Sequence, residues 1–229
     1  MVKIFSYKVR KSKKARNILL HVDMDGSVEL VVPWRVSYRE GRRFLKKRGQ
    51  WVDRQLMAQR KRAAAMPKRS FESGAAWPAF GQEIRLEVIR ENRKRAFVSF
   101  TDGVLQIRCG IGHDVAKLLE RWYRKEAQAR YEQQARDLAD ACDLSISKVR
   151  INGAKTQWGS CNHKRAVITL NWKLALAPKE AADYVIAHEV AHLKFANHSK
   201  QYWQFVASIY PGYEQQKRWL RINGYTLTI

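Results

Sequence analysis

The pentapeptide His188-Glu189-Val190-Ala191-His192 is the feature that most constrains the fold of this chain. Residues four apart lie one turn apart on the same face of an α-helix, so both histidines can direct their imidazoles at one metal ion. The pattern therefore predicts a helix at this position. A zinc ion with a catalytic role takes three protein ligands and keeps one position open, so a third ligand should lie nearby. His198 is the candidate.

The segment after His192 must leave the helix before the third histidine can turn back toward the metal. Asn197 suits this turn because asparagine readily adopts the left-handed conformation that ends helices. Ser199 could then cap a following helix. Glu214 and Asp183 remain alternative third ligands, since many zinc hydrolases use a distant carboxylate. Asp183 could instead accept a hydrogen bond from the second nitrogen of a ligand histidine.

Glu189 borders the histidine stripe, where a carboxylate can accept a proton from water activated by the metal. We interpret it as a general base rather than a ligand. The hypothesis is amide hydrolysis assisted by one zinc ion per chain, with Tyr184, Tyr202 or Trp158 as candidate donors to the developing oxyanion. Cys161 is better read as a buried thiol than as a nucleophile, because nothing in the sequence pairs it with a histidine.

Further motifs of the chain are Trp158-Gly159-Ser160-Cys161, Leu170-Asn171-Trp172, Ala177-Pro178, Asp183-Tyr184, His188-Glu189-x-x-His192-Leu193 and Asn197-His198-Ser199. In order and spacing they resemble the motifs of a known family, the YgjP-like metallopeptidases. The opening residues, Val32-Pro33 and Gln50-Trp51-Val52 also resemble that family's amino-terminal half, so the similarity extends over most of the chain.

The resemblance implies a zincin-type catalytic domain, with His188, His192 and His198 as zinc ligands and Glu189 as the catalytic carboxylate. It implies little about the substrate, which we predict to be a protein or peptide. Gln157 departs from the pattern because many members carry arginine there, which puts in doubt a role for that side chain in binding substrate.

Composition predicts a cytoplasmic protein with its own hydrophobic core. The chain has 229 residues, 45% of them hydrophobic, which suffices for one large domain or two small ones. Three cysteines without a C-x-x-C pair indicate neither a disulfide framework nor a cysteine zinc knuckle. The basic first residues lack the apolar core of a signal peptide, and no apolar run approaches the length of a membrane span.

Positive charge is concentrated in the amino-terminal part. Residues 1–70 carry 20 Lys and Arg against 5 Asp and Glu, and the whole chain has a formal net charge of +23. Such a field attracts polyanions, so nucleic acid is a candidate partner, although no recognised nucleic-acid-binding motif accompanies the charge. An alternative function is therefore a basic nucleic-acid-binding protein with a structural or vestigial zinc site. A protease directed to protein bound to nucleic acid also fits the charge.

The predicted fold class is α+β. A β-rich, basic amino-terminal domain with one long helix is expected over 1–112, and a mainly helical, zincin-like hydrolase domain with a small sheet over 113–229. In the first domain, strands are predicted at 4–9, 17–22, 28–32, 84–89, 96–100 and 104–108, with a linker over 67–78. Asp25-Gly26 and Asp102-Gly103 predict hairpin turns. The capping-box spacing of Ser37 and Glu40 predicts a helix that continues to about Ala65.

In the second domain, apolar spacing predicts a helix over 114–141. Short strands are expected at 149–151 and 167–171, separated by a turn at Trp158-Gly159-Ser160-Cys161. Pro178 is expected in the first turn of the metal-binding helix. The strand at 167–171 is expected to flank the cleft with a free edge that could pair with an extended peptide, a role that the resemblance suggests. Gly224 is expected to end a last helix that begins near Tyr213.

Overall fold

A buried apolar strand, Val28–Pro33, forms the centre of the first of two units, Met1–Pro67 and Lys68–Ile229. The computed structural model describes residues 5–23 and 26–229. The first unit contains the elements β1 (Lys8–Ser12), β2 (Leu19–Val22), β3 (Val28–Pro33), α1 (Tyr38–Lys47) and α2 (Gly49–Ala64). β3 pairs in parallel with β1 and antiparallel with β2. The antiparallel pair confirms the predicted pairing of strand 17–22 with strand 28–32. Ile4 and Asp25, on which two of the predictions fall, lie outside the described residues.

The capping box at Ser37 and Glu40 forms as predicted, with the Ser37 hydroxyl accepting from the Glu40 N–H. The single long helix predicted from this point was wrong. Arg48 adopts a non-helical conformation and separates α1 from α2. The break lets each helix place its own apolar residue, Leu45 in α1 and Val52 in α2, in one core with β3.

The second unit begins with a four-stranded sheet. Its strands are β4 (Ala76–Ala79), β5 (Gln82–Arg90), β6 (Phe97–Thr101) and β7 (Val104–Cys109), in the order β4-β5-β7-β6. β4 begins inside the predicted linker, and the other three strands fall where the sequence predicts them. The long helix α3 (Val115–Asp140) packs on this sheet, where Trp122 contacts Phe100 and the Tyr123 hydroxyl donates to the Pro78 carbonyl.

The boundary predicted between residues 112 and 113 falls inside the second unit, because β7 and α3 contribute to one hydrophobic core there. The division of the chain into a basic domain, 1–112, and a hydrolase domain, 113–229, stays a prediction. The α+β class is confirmed by six α-helices and three small sheets in the described residues. None of these helices is long and apolar enough to cross a membrane.

A second, three-stranded sheet comprises β8 (Lys148–Asn152), β9 (Gly159–Asn162) and β10 (Val167–Asn171). The predicted turn at 158–161 is largely a strand, because β9 pairs antiparallel with β10. β10 also pairs in parallel with β8, so it is the central strand and its backbone groups are occupied. The expectation of a free edge on β10 was therefore wrong. Of the three strands, β9 is the one beside α4 that has an open edge.

Three helices complete the second unit: α4 (Lys179–Lys194), α5 (Lys200–Ile209) and α6 (Tyr213–Asn223). α4 begins directly after Pro178 and packs against β9, α3, α5 and α6. Most of its residues are buried, so the pentapeptide predicted to be helical lies on a helix held by neighbours on several sides. α6 ends at Asn223, directly before Gly224.

Candidate metal centre

The three predicted histidine ligands come together at the end of α4. His188 and His192 lie one turn apart on the helix, with ring centroids 4.9 Å apart. His198, in the connection to α5, brings its ring to 5.0 Å from that of His188 and 4.7 Å from that of His192. One nitrogen from each ring lies within 4.8 Å of the others. The chain thus gathers three imidazoles around one point.

The turn that returns His198 differs from the prediction. α4 ends at Lys194, and Phe195 takes an extended conformation with φ −126° and ψ 115°. Asn197 is not among the described residues with positive φ, so the expected left-handed asparagine was wrong. Phe195 packs instead in an apolar cluster with Tyr202 and Val206 of α5, and this packing accounts for the departure from the helix. Ser199 caps α5 as predicted, by accepting from the Tyr202 N–H at 3.2 Å.

The second ring nitrogen of each helix histidine already has a partner. Nδ1 of His192 lies 3.0 Å from the Phe195 carbonyl oxygen. Nδ1 of His188 lies 2.6 Å from the hydroxyl oxygen of Tyr202, which in turn donates to the His188 carbonyl at 3.0 Å. Both contacts favour a proton on Nδ1 and leave Nε2 with a free lone pair, the arrangement usual for metal-bound histidines.

Asp183, the alternative partner or ligand, is engaged elsewhere. Its carboxylate accepts from the Lys179 ammonium at 2.6 Å. Among the described residues, neither Asp183, Glu214 nor Cys161 joins the three histidines in a group that could hold a metal.

The distance between two of the ligand nitrogens suits a tetrahedral ion. Nε2 of His188 and Nε2 of His198 are 3.2 Å apart. Two nitrogens bound to zinc at about 2.0–2.1 Å in tetrahedral geometry lie about 3.3 Å from each other. Three imidazoles are also a donor set that suits zinc among the divalent metals. The residues present therefore fit a three-histidine zinc site.

Burial and neighbouring charges lower the pKa of two of the three imidazoles, His188 and His198. Burial, together with the neighbouring His192, His198 and Lys217, lowers the pKa of His188 to about 3. The pKa of His198 is also lowered, first by burial and then by His192 and Lys217. Because only the neutral imidazole binds a metal, these shifts keep His188 and His198 in the ligating form at neutral pH.

Glu189 lies on the buried side of α4, with 3% of its surface exposed. Burial raises the pKa of its carboxyl to about 8, because the charged form loses hydration that the protein interior does not replace. A carboxylate with a pKa near neutrality can both accept and return a proton. The role of Glu189 as a general base stays a prediction.

Gly159 of β9 makes room for this carboxylate. A methyl group at this position would lie 2.5 Å from Oε1 of Glu189 and 2.7 Å from its Cγ, closer than non-bonded carbons approach. Glycine is thus required here by the close approach of β9 to the Glu189 side chain. The sequence shows this glycine within the Trp158-Gly159 motif, but nothing in the pattern relates it to Glu189.

Gly159→Ala is expected to reduce hydrolysis about tenfold to a hundredfold, because displacing a catalytic group by about 1 Å can cost a hundredfold in rate. Zinc content should stay at the wild-type level, since the three atoms nearest the added methyl group all belong to Glu189. Gly112→Ala is the matched control, because a methyl group there meets nothing within 4 Å. Turnover of a peptide and zinc content would be measured for both variants. Unchanged turnover in Gly159→Ala would show that Glu189 does not depend on this contact.

A cavity of about 310 Å³ opens beside His188 and Glu189. Its walls include Trp158 and Tyr184, two of the predicted oxyanion donors, and the cationic residues Lys217 and Arg221 of α6. The third predicted donor, Tyr202, is fully buried and its hydroxyl contacts His188, so it orients a histidine rather than facing this cavity.

Cys161 is half-buried in β9, and burial together with the Glu189 carboxylate raises the pKa of its thiol to about 12. A thiol that keeps its proton at neutral pH is a poor nucleophile, which agrees with its interpretation as a structural residue.

Comparisons with known proteins bear on the class of this site. The family model described as "YgjP-like, metallopeptidase domain" matches residues 16–223. Among solved structures, the crystal structure of the metallopeptidase zymogen of Pyrococcus abyssi abylysin is 26% identical over 40% of this chain and 92% of that chain, with a TM-score of 0.36. A comparison with curated proteins found no match. Because the family model spans far more than half of the chain, this protein belongs to the YgjP-like metallopeptidase family, a family of metal-dependent peptidases.

Proposed function

We propose that the chain is a zinc peptidase in which His188, His192 and His198 hold one zinc ion and Glu189 is the general base. The observation that carries the proposal is the convergence of three imidazole nitrogens within 4.8 Å, beside a buried carboxylate. When bound, zinc supplies Lewis-acid chemistry, polarising the scissile carbonyl and lowering the pKa of water.

The protein's own groups supply the remaining steps. The Glu189 carboxylate accepts a proton from the attacking water and returns it to the leaving amine, which restores its starting charge. Tyr202 and the Phe195 carbonyl hold the rings of His188 and His192 in fixed orientations. Trp158 and Tyr184, which line the cavity, are the candidates for contacts with the substrate near its carbonyl group.

An extended peptide can be held by β9. This strand pairs with β10 on one side, and no other strand in the described residues pairs with its outer edge. A free strand edge binds extended chains through main-chain hydrogen bonds. Since Gly159 of β9 contacts Glu189, a peptide paired with this edge would pass the catalytic carboxylate. This moves the substrate-binding role expected for β10 to β9.

The alternative, a nucleic-acid-binding protein with a structural zinc, requires a closed site. Structural zinc sites have four protein ligands, mostly cysteine. Within the described residues the metal-binding group contains three histidines and no fourth ligand, with Cys161 and Glu214 outside it. A three-ligand site leaves a position for water or substrate, which favours the peptidase.

The function is tested with a mixture of tryptic peptides from a whole-cell extract, in which new termini are identified by mass spectrometry. Zinc-loaded protein is expected to generate new termini, to lose this activity on treatment with 1,10-phenanthroline, and to regain it when zinc is restored. Cleavage that survives removal of zinc would contradict the proposal. So would a fourth protein ligand, seen by X-ray absorption spectroscopy of the zinc-loaded protein.

A further inference from the structure

Two aromatic side chains of the first unit, Trp34 and Tyr38, are exposed although they flank a buried core. Their exposed fractions are 63% and 53%. Pro33 ends β3 and Ser37 begins the capping box of α1, so the short connection places both rings outside while Val32 and Leu45 fill the core. Packing in the hydrophobic core therefore does not explain why aromatic residues occupy these two positions.

A lysine side chain lies beside each ring. The Lys11 ammonium donates to the carbonyls of Pro33, Trp34 and Val36 and lies 4.8 Å from the centre of the Tyr38 ring. The Lys13 ammonium lies 5.7 Å from the centre of the Trp34 ring. We call Lys11, Lys13, Trp34 and Tyr38 the aromatic-lysine surface.

The surroundings of this surface are almost free of negative charge. Residues 8–16 and 34–48 contain 13 Lys and Arg and one acidic residue, Glu40, and one of these cations, Arg10, is paired with Glu29 of β3 at 2.9 Å. The Glu40 carboxylate is held by the Ser37 N–H at 3.0 Å and by the Ser37 hydroxyl at 2.9 Å, within the capping box. Arg39 and Arg42, on the first turns of α1, are exposed. The net charge near the two rings is therefore strongly positive.

We propose that the aromatic-lysine surface binds single-stranded nucleic acid, with bases stacked on Trp34 and Tyr38 and phosphates contacted by the surrounding Lys and Arg. Exposed aromatic rings within a basic surface are the usual means of binding single strands without sequence preference. A duplex hides the faces of its bases, and an acidic peptide offers few aromatic faces, so neither uses both features of this surface. The surface lies wholly within the first unit and does not depend on the metal centre.

The test is fluorescence anisotropy of a labelled 20-nucleotide oligo(dT) or oligo(U) strand titrated with the full-length protein. Affinity should fall steeply as salt is raised, because phosphate contacts release counterions. Trp34→Ala and Tyr38→Ala should each weaken binding about tenfold or more, the effect expected from loss of one stacked base. The salt dependence should keep its slope, since neither substitution removes a charge.

Two further variants separate stacking from other causes. Phe97→Ala removes an equally exposed aromatic residue, 55% exposed, from the four-stranded sheet, and binding should not change. Trp34→Phe should retain most of the affinity, because it keeps a ring that can stack. If Trp34→Ala and Tyr38→Ala bind as tightly as the wild type, the proposal is wrong and only a diffuse basic field remains.

Competitors test the chosen ligand. A duplex of equal length, or vesicles containing phosphatidylserine, should compete less well than the unlabelled single strand. Stronger competition by either would overturn the assignment to single strands, and so would the absence of binding at low salt.

Discussion

Glu189→Gln is expected to lower peptide hydrolysis by about a hundredfold to ten thousandfold, the usual contribution of a general base. The amide of glutamine has nearly the shape of the carboxyl group but cannot accept the proton of water at neutral pH. Zinc content should equal that of the wild type, because Glu189 is interpreted as a base and not as a ligand. Turnover with a peptide identified in the cleavage screen, and zinc content by mass spectrometry, measure the two effects.

Folding should not account for the lost turnover. Burial raises the pKa of Glu189, which means that the interior of the protein disfavours its charged form, and a neutral glutamine meets the same surroundings without that cost. Glu180→Gln is the matched control, since Glu180 lies exposed in the first turn of the same helix. Full activity in Glu189→Gln would refute the assignment of the base. Loss of zinc from this variant would instead make Glu189 a ligand.

The parts of the site that were predictable are those set by local spacing. Two histidines four residues apart on a helix face the same way whatever surrounds them, so the pair His188 and His192 needed only the helix. The capping box of Ser37 and Glu40 and the cap at Ser199 are similarly local, because each hydrogen bond spans three residues. Their prediction required no knowledge of tertiary contacts.

Other parts depend on packing between distant elements. β9 has the sequence Gly-Ser-Cys-Asn, which has low strand propensity, and it is a strand because β10 pairs with it. Tyr202 reaches His188 because α5 packs against α4, so the sequence around either residue does not predict the contact. The close approach of Gly159 to Glu189 has the same origin. The sequence predicts candidate reacting groups but not the residues that orient them.

His192→Ala is expected to abolish high-affinity zinc binding. Even loss of a hydrogen-bonding partner behind a ligand costs about tenfold to a hundredfold in metal affinity, so loss of a ligand itself should cost more. Protein purified without chelator should contain about one zinc per chain in the wild type and little in the variant, on the assumption of one three-histidine site. His163→Ala is the control, because His163 is exposed in a 3₁₀ turn outside the cluster.

Thermal unfolding gives an independent measure of the same loss. A ligand that binds only the folded state raises the free energy of unfolding, so added zinc should raise the unfolding temperature of the wild type and of His163→Ala. It should have little effect on His192→Ala, whose remaining ligands, His188 and His198, cannot complete the site. Since His192 packs against Tyr202, the metal-free variant is expected to be less stable than the metal-free wild type. Each protein is therefore compared with itself, with and without zinc. Equal zinc content and an equal zinc-dependent shift in all three proteins would place the metal elsewhere in the chain. That result would contradict the proposed peptidase mechanism. It would not affect the proposed binding of single strands by Trp34 and Tyr38, which is tested separately.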